Sequence, residues 1–348
     1  MNYKPSNTNL TTDKHFRDVN VRTYLHDILP DDVKNFLASS NLKSGYPNLD
    51  AITNLYPALY TIGAISSLGK TTFIHQMADQ LAEAGHEVIY FSLEQGVFEL
   101  VSKSLARIMF KQNPSERLTS LQIRKTESNP QLTSAIAEYD RYAGNITIVE
   151  CPFAATVEFI ESYVTEYINS HHVKPVVMID YLQIIQPSDT HLTTKDSIDS
   201  IVHQLKQFQS DNQLVMIVIS SLNRAGYLQQ VDFESFKESG GIEYTADVVW
   251  GLQLSVLHDE IFNSQSRLAE KRQKVKEAKA ALPRRVELVC LKNRFGVSSY
   301  SCEFNYYSAY DYFESDISGL SSEFLNPDTP TDPDGFISVP DWLDIPFN

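Results

Sequence analysis

A short stretch near residue 65 combines the residue types that bind phosphate groups. Apolar residues at 59–62 predict a buried strand, and apolar residues at helical spacing after Gly69 predict a helix. Backbone N–H groups at the start of a helix bind phosphate oxygens, a lysine there neutralises β- and γ-phosphate charge, and a threonine hydroxyl ligates Mg²⁺. We therefore predict a nucleotide-binding loop that consists of Ser66, Ser67, Leu68, Gly69, Lys70, Thr71 and Thr72.

This loop departs from the general phosphate-loop pattern G-x-x-x-x-G-K-T at one position. Ala64 stands where that pattern has its first glycine, whereas Gly69 keeps the second one and lets the backbone approach the phosphates closely. The alternative is that Gly-Lys-Thr falls in a loop by chance. The strand before it and the helix after it favour the phosphate-binding interpretation.

Two carboxylates at predicted strand ends could complete the chemistry of this loop. Asp180 ends the apolar segment 176–180, which suits a carboxylate that holds Mg²⁺ through its water shell. Glu94 follows the predicted strand 86–92, where it could orient and activate the water that attacks a γ-phosphate. Alternatively, Asp180 only forms a turn and Glu94 only begins an exposed helix.

Strand and helix patterns alternate along most of the chain. Apolar, β-branched segments predict strands at 59–62, 86–92, 146–149, 176–180, 214–220, 246–252 and 286–291. Such alternation predicts an α/β fold in which a mostly parallel sheet lies between helices. We predict an N-terminal arm at 1–45, with one or two short helices interrupted at Pro30, a core at 46–312, and an acidic disordered tail at 313–348.

Composition narrows the class of protein. No apolar run approaches the roughly 18 residues that span a bilayer, and the first residues carry no apolar signal core, so we predict a cytoplasmic protein without membrane contact. The three cysteines form no C-x-x-C pair, which indicates neither a disulfide framework nor a zinc site.

The net charge of −15 is unevenly distributed. Residues 303–344 contain ten acids, and no lysine or arginine follows Arg294, whereas residues 267–294 contain ten bases and three acids. The overall charge therefore does not exclude a nucleic-acid partner. We interpret the charged helix predicted at 264–281 as a solvent-exposed face, with a DNA-contacting arm as the alternative.

Several separated segments resemble, in order, the motor domain of the DnaB-type replicative helicases, a branch of the RecA-like ATPases. That family also has alanine at the position of Ala64. The similar segments span roughly residues 57–305. They are A-I-S-S-L-G-K-T at 64–71, F-S-L-E at 91–94, I-D-Y-L-Q at 179–183, S-S-L-N-R at 220–224, E-S-G-G-I-E at 238–243, A-D-V-V at 246–249 and L-K-N-R-F-G at 291–296.

The resemblance implies roles for particular residues. It implies a RecA-like core that binds ATP and Mg²⁺, with Glu94 as the catalytic carboxylate beside Lys70 and with Asp180 and Thr71 at the metal. Lys292 and Arg294 are similar to a Lys and an Arg that reach a neighbouring subunit's nucleotide, which implies a homo-oligomer, a hexameric ring. The loops that would line its channel and contact single-stranded DNA include Arg224, Lys237, Glu238 and Gly240.

The chain also departs from the family pattern. Ser221 stands where the family has a glutamine that senses the γ-phosphate, and Tyr244 replaces a later glutamine. The first 45 or so residues are too few for the family's N-terminal collar domain. The chain looks like the helicase half of phage or mobile-element primase-helicases, which implies a separate primase as a possible partner.

The resulting hypothesis is an ATP-dependent DNA helicase motor that acts in the replication of phage or mobile-element DNA. The alternative is a RecA-like regulatory or loader ATPase without unwinding activity. Residues 339–348, V-P-D-W-L-D-I-P-F-N, resemble the acidic tip of bacterial single-strand DNA-binding proteins. They predict a partner that recognises this tip, unless the tail only aids solubility.

Overall fold

The computed structural model describes residues 19–39, 41–127, 129–151, 155–188, 191–223, 225–236, 239–263 and 267–318. These residues form two compact units that divide between Asn41 and Leu42. The predicted site residues Arg224, Lys237 and Glu238 lie outside the described residues, as does the tail segment 339–348.

The described part of the first unit, residues 19–39 and 41, is mostly helical. Helix α1 spans Val21–Thr23, a π-helical turn spans Tyr24–Ile28, and α2 spans Leu29–Ser39. The Asn20 side chain accepts a hydrogen bond from the Arg22 N–H at 3.0 Å and so caps the first turn. Pro30 lies in the first turn of α2, directly after the wider π-helical turn, so its missing N–H does not break the helix. The prediction that Pro30 interrupts this stretch is therefore wrong.

The second unit contains a sheet of nine strands in the described part of the chain, in the order β3-β2-β4-β5-β1-β6-β7-β8-β9. The first six strands in that order are parallel, and β7, β8 and β9 extend the sheet antiparallel. The strands are β1 Leu59–Ala64, β2 Val88–Ser92, β3 Ile146–Glu150, β4 Val176–Asp180, β5 Met216–Ser221, β6 Val248–Leu254, β7 Arg284–Asn293, β8 Ser301–Tyr307 and β9 Tyr312–Ser315. This arrangement confirms the predicted α/β fold.

Helices connect the parallel strands and cover the sheet. They are α3 Pro47–Asp50, α4 Lys70–Glu83, α5 Val97–Gln112, α6 Ser120–Ile123, α7 Pro130–Ala143, α8 Val157–His171, α9 Thr194–Asn212, α10 Ser239–Thr245 and α11 Leu268–Ala280. Short 3-10 helices lie at Leu182–Ile184, Ala225–Leu228, Phe233–Ser235, Ser255–His258 and Glu260–Asn263. Of the helices that the structure describes, none is both long and apolar enough to cross a membrane.

The core explains why these strands form. Every residue of β1, β2 and β4 is buried, so continuous apolar runs rather than alternating patterns mark them. Helix α4 is buried along most of its length, and the fully buried ring of Phe73 anchors it, a burial that contributes about 1.5–3 kcal/mol. The core therefore fixes both elements that flank the phosphate loop.

The β8–β9 hairpin extends the sheet beyond the strands predicted from the sequence. Phe304 and Phe313 each pack edge-on against Phe73, with ring centroids 5.3 and 5.2 Å apart. Since Phe313 is buried, β9 belongs to the core and lies across the predicted boundary between residues 312 and 313. The hairpin thereby packs against Phe73 of α4.

Candidate nucleotide-binding site

The carboxyl ends of the parallel strands place the predicted site residues along one edge of the sheet. In the pairing of β1 with β5, Ala64 lies beside Ser221, and in the pairing of β2 with β4, Ser92 lies beside Asp180. Ligands of open α/β sheets bind at this edge, where the strands end and the loops begin. The same edge of the sheet therefore carries the segments that contain Lys70, Glu94, Asp180 and Ser221.

The loop between β1 and α4 has the tight geometry of a phosphate cradle. Ser67 and Gly69 both have positive φ angles, 65° and 94°. A Cβ on Gly69 would lie 2.7 Å from the Tyr306 ring, closer than real Cβ contacts allow. Only glycine satisfies both the backbone angle and the close approach of this ring.

The start of α4 is open to an anion. No described side chain caps it, and its first turn contains no acidic residue. The first N–H groups of a helix lack partners within the helix and carry its positive dipole end. Lys70, Thr71 and Thr72 form this first turn, so their N–H groups suit phosphate oxygens.

The Lys70 ammonium lies beside the residue at the predicted sensor position. Its Nζ donates a hydrogen bond to Oγ of Ser221 at 3.2 Å and lies 5.5 Å from the centroid of the Tyr181 ring. The Ser221 N–H in turn donates to Oε1 of Gln183 at 3.1 Å, and Nε2 of Gln183 donates to Oγ of Ser220 at 2.9 Å. Sequence reasoning did not assign Gln183, although it belongs to the segment that carries Asp180.

The carboxyl group of Asp180 is almost completely buried, with 2% of the residue exposed. Its Oδ2 accepts a hydrogen bond from the Tyr90 hydroxyl at 3.1 Å, while its Oδ1 has no hydrogen-bond partner among the described residues. Burial raises the pKa of this carboxyl, the charge of Glu94 raises it further, and the hydroxyls of Thr71 and Tyr90 and the ammonium of Lys70 oppose the rise. A cation would stabilise the ionised form.

These residues fit Mg²⁺. Asp180 offers a buried carboxylate oxygen without a partner, and the Thr71 hydroxyl lies beside it. Among the described residues, no group of three His, Cys, Asp or Glu could hold a metal ion. Mg²⁺ needs no such cage, because it keeps several waters and binds one or two protein oxygens together with the phosphates of its nucleotide.

Glu94 lies two residues beyond β2 and is exposed. The adjacent Leu93 N–H donates to the Asp180 carbonyl oxygen at 2.9 Å, which fixes the strand end that carries Glu94. The charge of Glu94 raises the pKa of Asp180 and Tyr181, so the three side chains share one electrostatic environment. Within the described residues, the Glu94 carboxylate forms no hydrogen bond or ion pair. It is therefore available to a water molecule.

Lys292 and Arg294 do not join this site. Asn293 pairs with Val248, which in turn pairs with Tyr60 at the start of β1, so both cations lie at the opposite edge of the sheet. Nζ of Lys292 donates to the Glu243 carbonyl oxygen at 2.6 Å. The Arg294 guanidinium donates to a carboxylate oxygen of Asp247 at 3.0 Å and to the Tyr244 carbonyl oxygen at 3.1 Å. Neither side chain can reach its own chain's phosphate loop.

Gly240 lies in helix α10 rather than in a loop, which corrects the expected conformation of this position. The next residue, Gly241, donates its N–H to Oδ1 of Asp199 on α9 at 3.0 Å and so holds α10 against α9. A Cβ on Gly240 would contact none of the described residues within 4 Å. The backbone of Gly240 is therefore accessible.

With this geometry in place, comparison with known proteins identifies the family. The family model described as DnaB-like helicase C-terminal domain matches residues 41–315. The chain belongs to this family. The replicative DNA helicase DnaB of Buchnera aphidicola subsp. Acyrthosiphon pisum is 25% identical over 269 residues, which cover 72% of this chain and 54% of that protein. The Haemophilus influenzae DnaB is 24% identical over 241 residues, 67% of this chain and 50% of that protein.

Solved structures support the fold of this DnaB-like domain. A separately solved ATPase domain has a TM-score of 0.67 and 22% identity, and the likeness covers 86% of this chain and 99% of that one. A DnaB-like replicative helicase, solved for its interactions with primase, has a TM-score of 0.66 and 22% identity over 86% of this chain and 67% of its own. The chain spans about half the length of the DnaB proteins described above.

Proposed function

We propose that this DnaB-like domain hydrolyses ATP at the cradle between β1 and α4. The observation that carries the proposal is the convergence of Lys70, Thr71, Asp180 and Glu94 at one sheet edge. Lys70 would neutralise the β- and γ-phosphates, and Thr71 and Asp180 would hold Mg²⁺, which would supply further positive charge to the phosphates. The Glu94 carboxylate orients the attacking water.

The proposed working unit is a homo-oligomeric ring, a hexamer. Lys292 and Arg294 lie at the sheet edge opposite their own cradle, so any action on a nucleotide requires a second copy. A cation supplied by a neighbouring subunit stabilises the charge that develops as the γ-phosphate leaves. Each ATP would therefore bind between two chains, and the rate of ATP hydrolysis would depend on the contact between them.

The proposed use of this hydrolysis is translocation on single-stranded DNA. Membership of the DnaB-like family supports it, and two basic residues, Arg224 and Lys237, follow β5 in the sequence. We assign the lining of a central channel to Arg224, Lys237, Glu238 and Gly240. Arg224 and Lys237 would supply positive charge to DNA phosphates, and Gly240 would let the backbone approach them. Ser221 is the proposed sensor, because it touches the Lys70 ammonium that a γ-phosphate would engage.

The finer assignments extend this proposal. We propose a role in the replication of phage or mobile-element DNA, with an N-terminal arm at 1–45, a core that extends through β9 to Ser315, and an acidic tail after it. A primase is one proposed partner. A protein that recognises the tip of single-strand DNA-binding proteins is another, through the acidic residues and Phe347 of segment 339–348.

One observation favours a second candidate, a regulatory or loader ATPase without unwinding activity. The Ser221 hydroxyl ends at Lys70, 3.2 Å away, and serine is shorter than the glutamine expected at this position. A short side chain has less reach toward the strand-contacting loops. ATP hydrolysis would then occur without movement along DNA.

Unwinding of a forked DNA duplex, measured with and without ATP, separates these functions. The motor proposal predicts ATP-dependent strand separation and hydrolysis that single-stranded DNA stimulates, and it predicts loss of both in Lys70→Ala, because the phosphate charge is then uncompensated. Hydrolysis without unwinding, and without stimulation by single-stranded DNA, would favour the regulatory ATPase. Hydrolysis by Lys70→Ala at the wild-type rate would exclude the cradle as its site.

A further inference from the structure

Two cations from a distant part of the chain lie against the phosphate loop. Nζ of Lys279, near the end of α11, donates to the Ser66 carbonyl oxygen at 3.4 Å. A terminal nitrogen of Arg284, the first residue of β7, donates to the Ser67 carbonyl oxygen at 3.0 Å. From the sequence we interpret the charged helix here as a solvent-exposed face, with a DNA-contacting arm as the alternative. The structure instead brings its positive charge to the nucleotide-binding loop.

Helix α11 is anchored, so it holds Lys279 in place. Val275 is buried against the core, and the ammonium of Lys271 is also buried and donates to the Phe262 carbonyl oxygen at 3.1 Å. Lys274 pairs with Asp259 at 2.5 Å. These three residues share one side of α11 and fix its position, although much of the helix faces solvent.

Lys279 and Arg284 lack the acidic partners that their neighbours have. Arg285 pairs with Asp316 at 2.9 Å, whereas neither Lys279 nor Arg284 forms an ion pair within the described residues. The Nε of Arg284 is buried and has no described hydrogen-bond acceptor. A buried donor without an acceptor costs free energy, which a bound anion would recover.

The site also fixes the direction of the guanidinium. Arg284 lies over the Tyr306 ring, 5.7 Å from its centroid, and this is the ring that closely approaches Gly69. Burial lowers the pKa of Lys279, and the adjacent charge of Arg284 lowers it further, so an anion beside both would stabilise the ammonium. A guanidinium has five N–H donors, so Arg284 can keep its bond to the loop and still bind a phosphate oxygen.

We propose that Lys279 and Arg284 bind the phosphates of a nucleoside di- or triphosphate in the cradle of their own chain. This inference rests on the proposed function, because it assigns a further cationic wall to the same nucleotide site. Lys70 approaches from the α4 side of the loop, and the two new residues approach from the α11 and β7 side. The chain thus supplies charge in cis, independently of the cations that a neighbouring copy would contribute.

Calorimetric titration of the full chain with ADP and Mg²⁺ tests this assignment. Arg284→Gln and Lys279→Gln remove the charge but keep an N–H donor for the loop carbonyl groups. Each variant should bind ADP about tenfold more weakly, since a charge-assisted hydrogen bond is lost. Lys276→Gln on the exposed side of α11 and Arg285→Gln on β7 are matched controls, and their ADP affinity should stay within about twofold of wild type.

The salt dependence of ADP affinity shows whether Lys279 and Arg284 bind phosphate or only support the loop. If the cations face phosphate, the affinity gap between wild type and each variant should narrow as NaCl rises from about 50 to about 500 mM. ADP affinity equal to wild type in both variants would overturn the assignment. It would also be overturned if salt did not change the difference in ADP affinity and the variants melted at a lower temperature than wild type without nucleotide. A wild-type chain that binds neither ADP nor ATP would contradict the proposed function itself.

Discussion

Arg294 donates a hydrogen bond to Oδ1 of Asp247, the residue directly before β6, at 3.0 Å. The other carboxylate oxygen of Asp247 accepts from the Leu59 N–H at 2.9 Å and from the Lys206 ammonium at 2.7 Å. Asp247 therefore joins Arg294 to the first residue of β1. The six residues of β1 then span about 20 Å to the cradle. One rigid strand thus separates the nucleotide site from the cation proposed to serve a neighbour.

Mixing two inactive variants tests whether Arg294 acts on a neighbouring copy. Arg294→Ala and Lys70→Ala should each hydrolyse ATP poorly alone, because one lacks the cation for its neighbour and the other lacks its own phosphate contact. Mixed rings contain some interfaces with both residues intact, so the mixture should recover part of the wild-type rate. Steady-state ATP hydrolysis across mixing ratios is the measurement.

The pairing with Asp247 requires a control in that experiment. Removing Arg294 leaves a buried carboxylate with fewer partners, which could lower stability by about 1–3 kcal/mol. Melting temperatures of both variants should therefore be measured beside the rates. No recovery at any ratio, in folded variants shown to exchange subunits, would contradict the proposal that Arg294 acts on a neighbouring copy.

Glu94→Gln should separate nucleotide binding from hydrolysis. The amide keeps the size of the side chain but cannot orient and activate water as a carboxylate does, so turnover should fall about 100-fold or more. Glu94 is exposed and has no described partner to lose, so ADP affinity and melting temperature should stay near wild type. Hydrolysis by this variant at the wild-type rate would show that another group activates the water.

Asp180→Asn should stabilise the protein without nucleotide while it removes the effect of Mg²⁺. Burial raises the pKa of Asp180, so the pKa in the folded state lies above that in the unfolded state. The free energy of unfolding therefore falls as pH rises between these two pKa values. At about pH 8 the wild type carries the cost of a buried charge, and asparagine does not. The melting temperature of the variant should therefore exceed that of wild type, and the difference should disappear in acid.

The opposite result should follow when nucleotide is present. With Mg²⁺ and ATP analogue, the wild type should gain stability that the variant lacks, because the variant has no carboxylate for the cation. Thermal melts at several pH values, with and without Mg²⁺, measure both effects. A variant that keeps the full Mg²⁺-dependent gain would exclude Asp180 from the metal site.

His75 on α4 predicts a second dependence on pH. It is buried, neither ring nitrogen has a described partner, and burial lowers its pKa from 6.5 to about 4, although the charge of Asp79 opposes this. Between these values the unfolded chain takes up a proton and the folded one does not, so stability falls as pH falls, by about 3 kcal/mol in total.

Urea unfolding between about pH 7 and pH 4 measures this contribution. His75→Phe removes the titrating group and keeps a ring against Tyr90, so its free energy of unfolding should vary less with pH than that of wild type. His86→Phe, at an exposed position, should leave the wild-type dependence unchanged. Equal slopes for wild type and His75→Phe would show that His75 does not titrate differently in the two states.

The parallel part of the fold could be predicted because its signals are local. A continuous apolar run such as Val176–Asp180 is typical of a strand buried on both faces, and the structure places its bounds where the pattern does. The hairpin of β8 and β9 could not be predicted in the same way. Its residues alternate between buried and half-exposed, and their burial depends on Phe73, which is far away in sequence.

The candidate site likewise has features that the sequence predicts and features that it does not. The phosphate loop and the strand ends at Asp180 and Glu94 follow from short segments and from the rule that parallel strands end at one edge. The contact between Arg284 and Ser67 joins residues 217 positions apart, so no local pattern contains it. It depends on how β7 pairs with β8, which sets Arg284 beside Tyr306, and the sequence alone did not show this pairing.

The mass of the assembled protein tests the central claim most directly, since the proposed active site needs two copies. Mass photometry or light scattering should be performed on the 39.5-kDa chain with Mg²⁺ and a non-hydrolysable ATP analogue, and again without nucleotide. We predict a closed ring of about six copies when nucleotide and Mg²⁺ are present. A monomer under every condition would contradict the shared active site and, with it, the proposed motor.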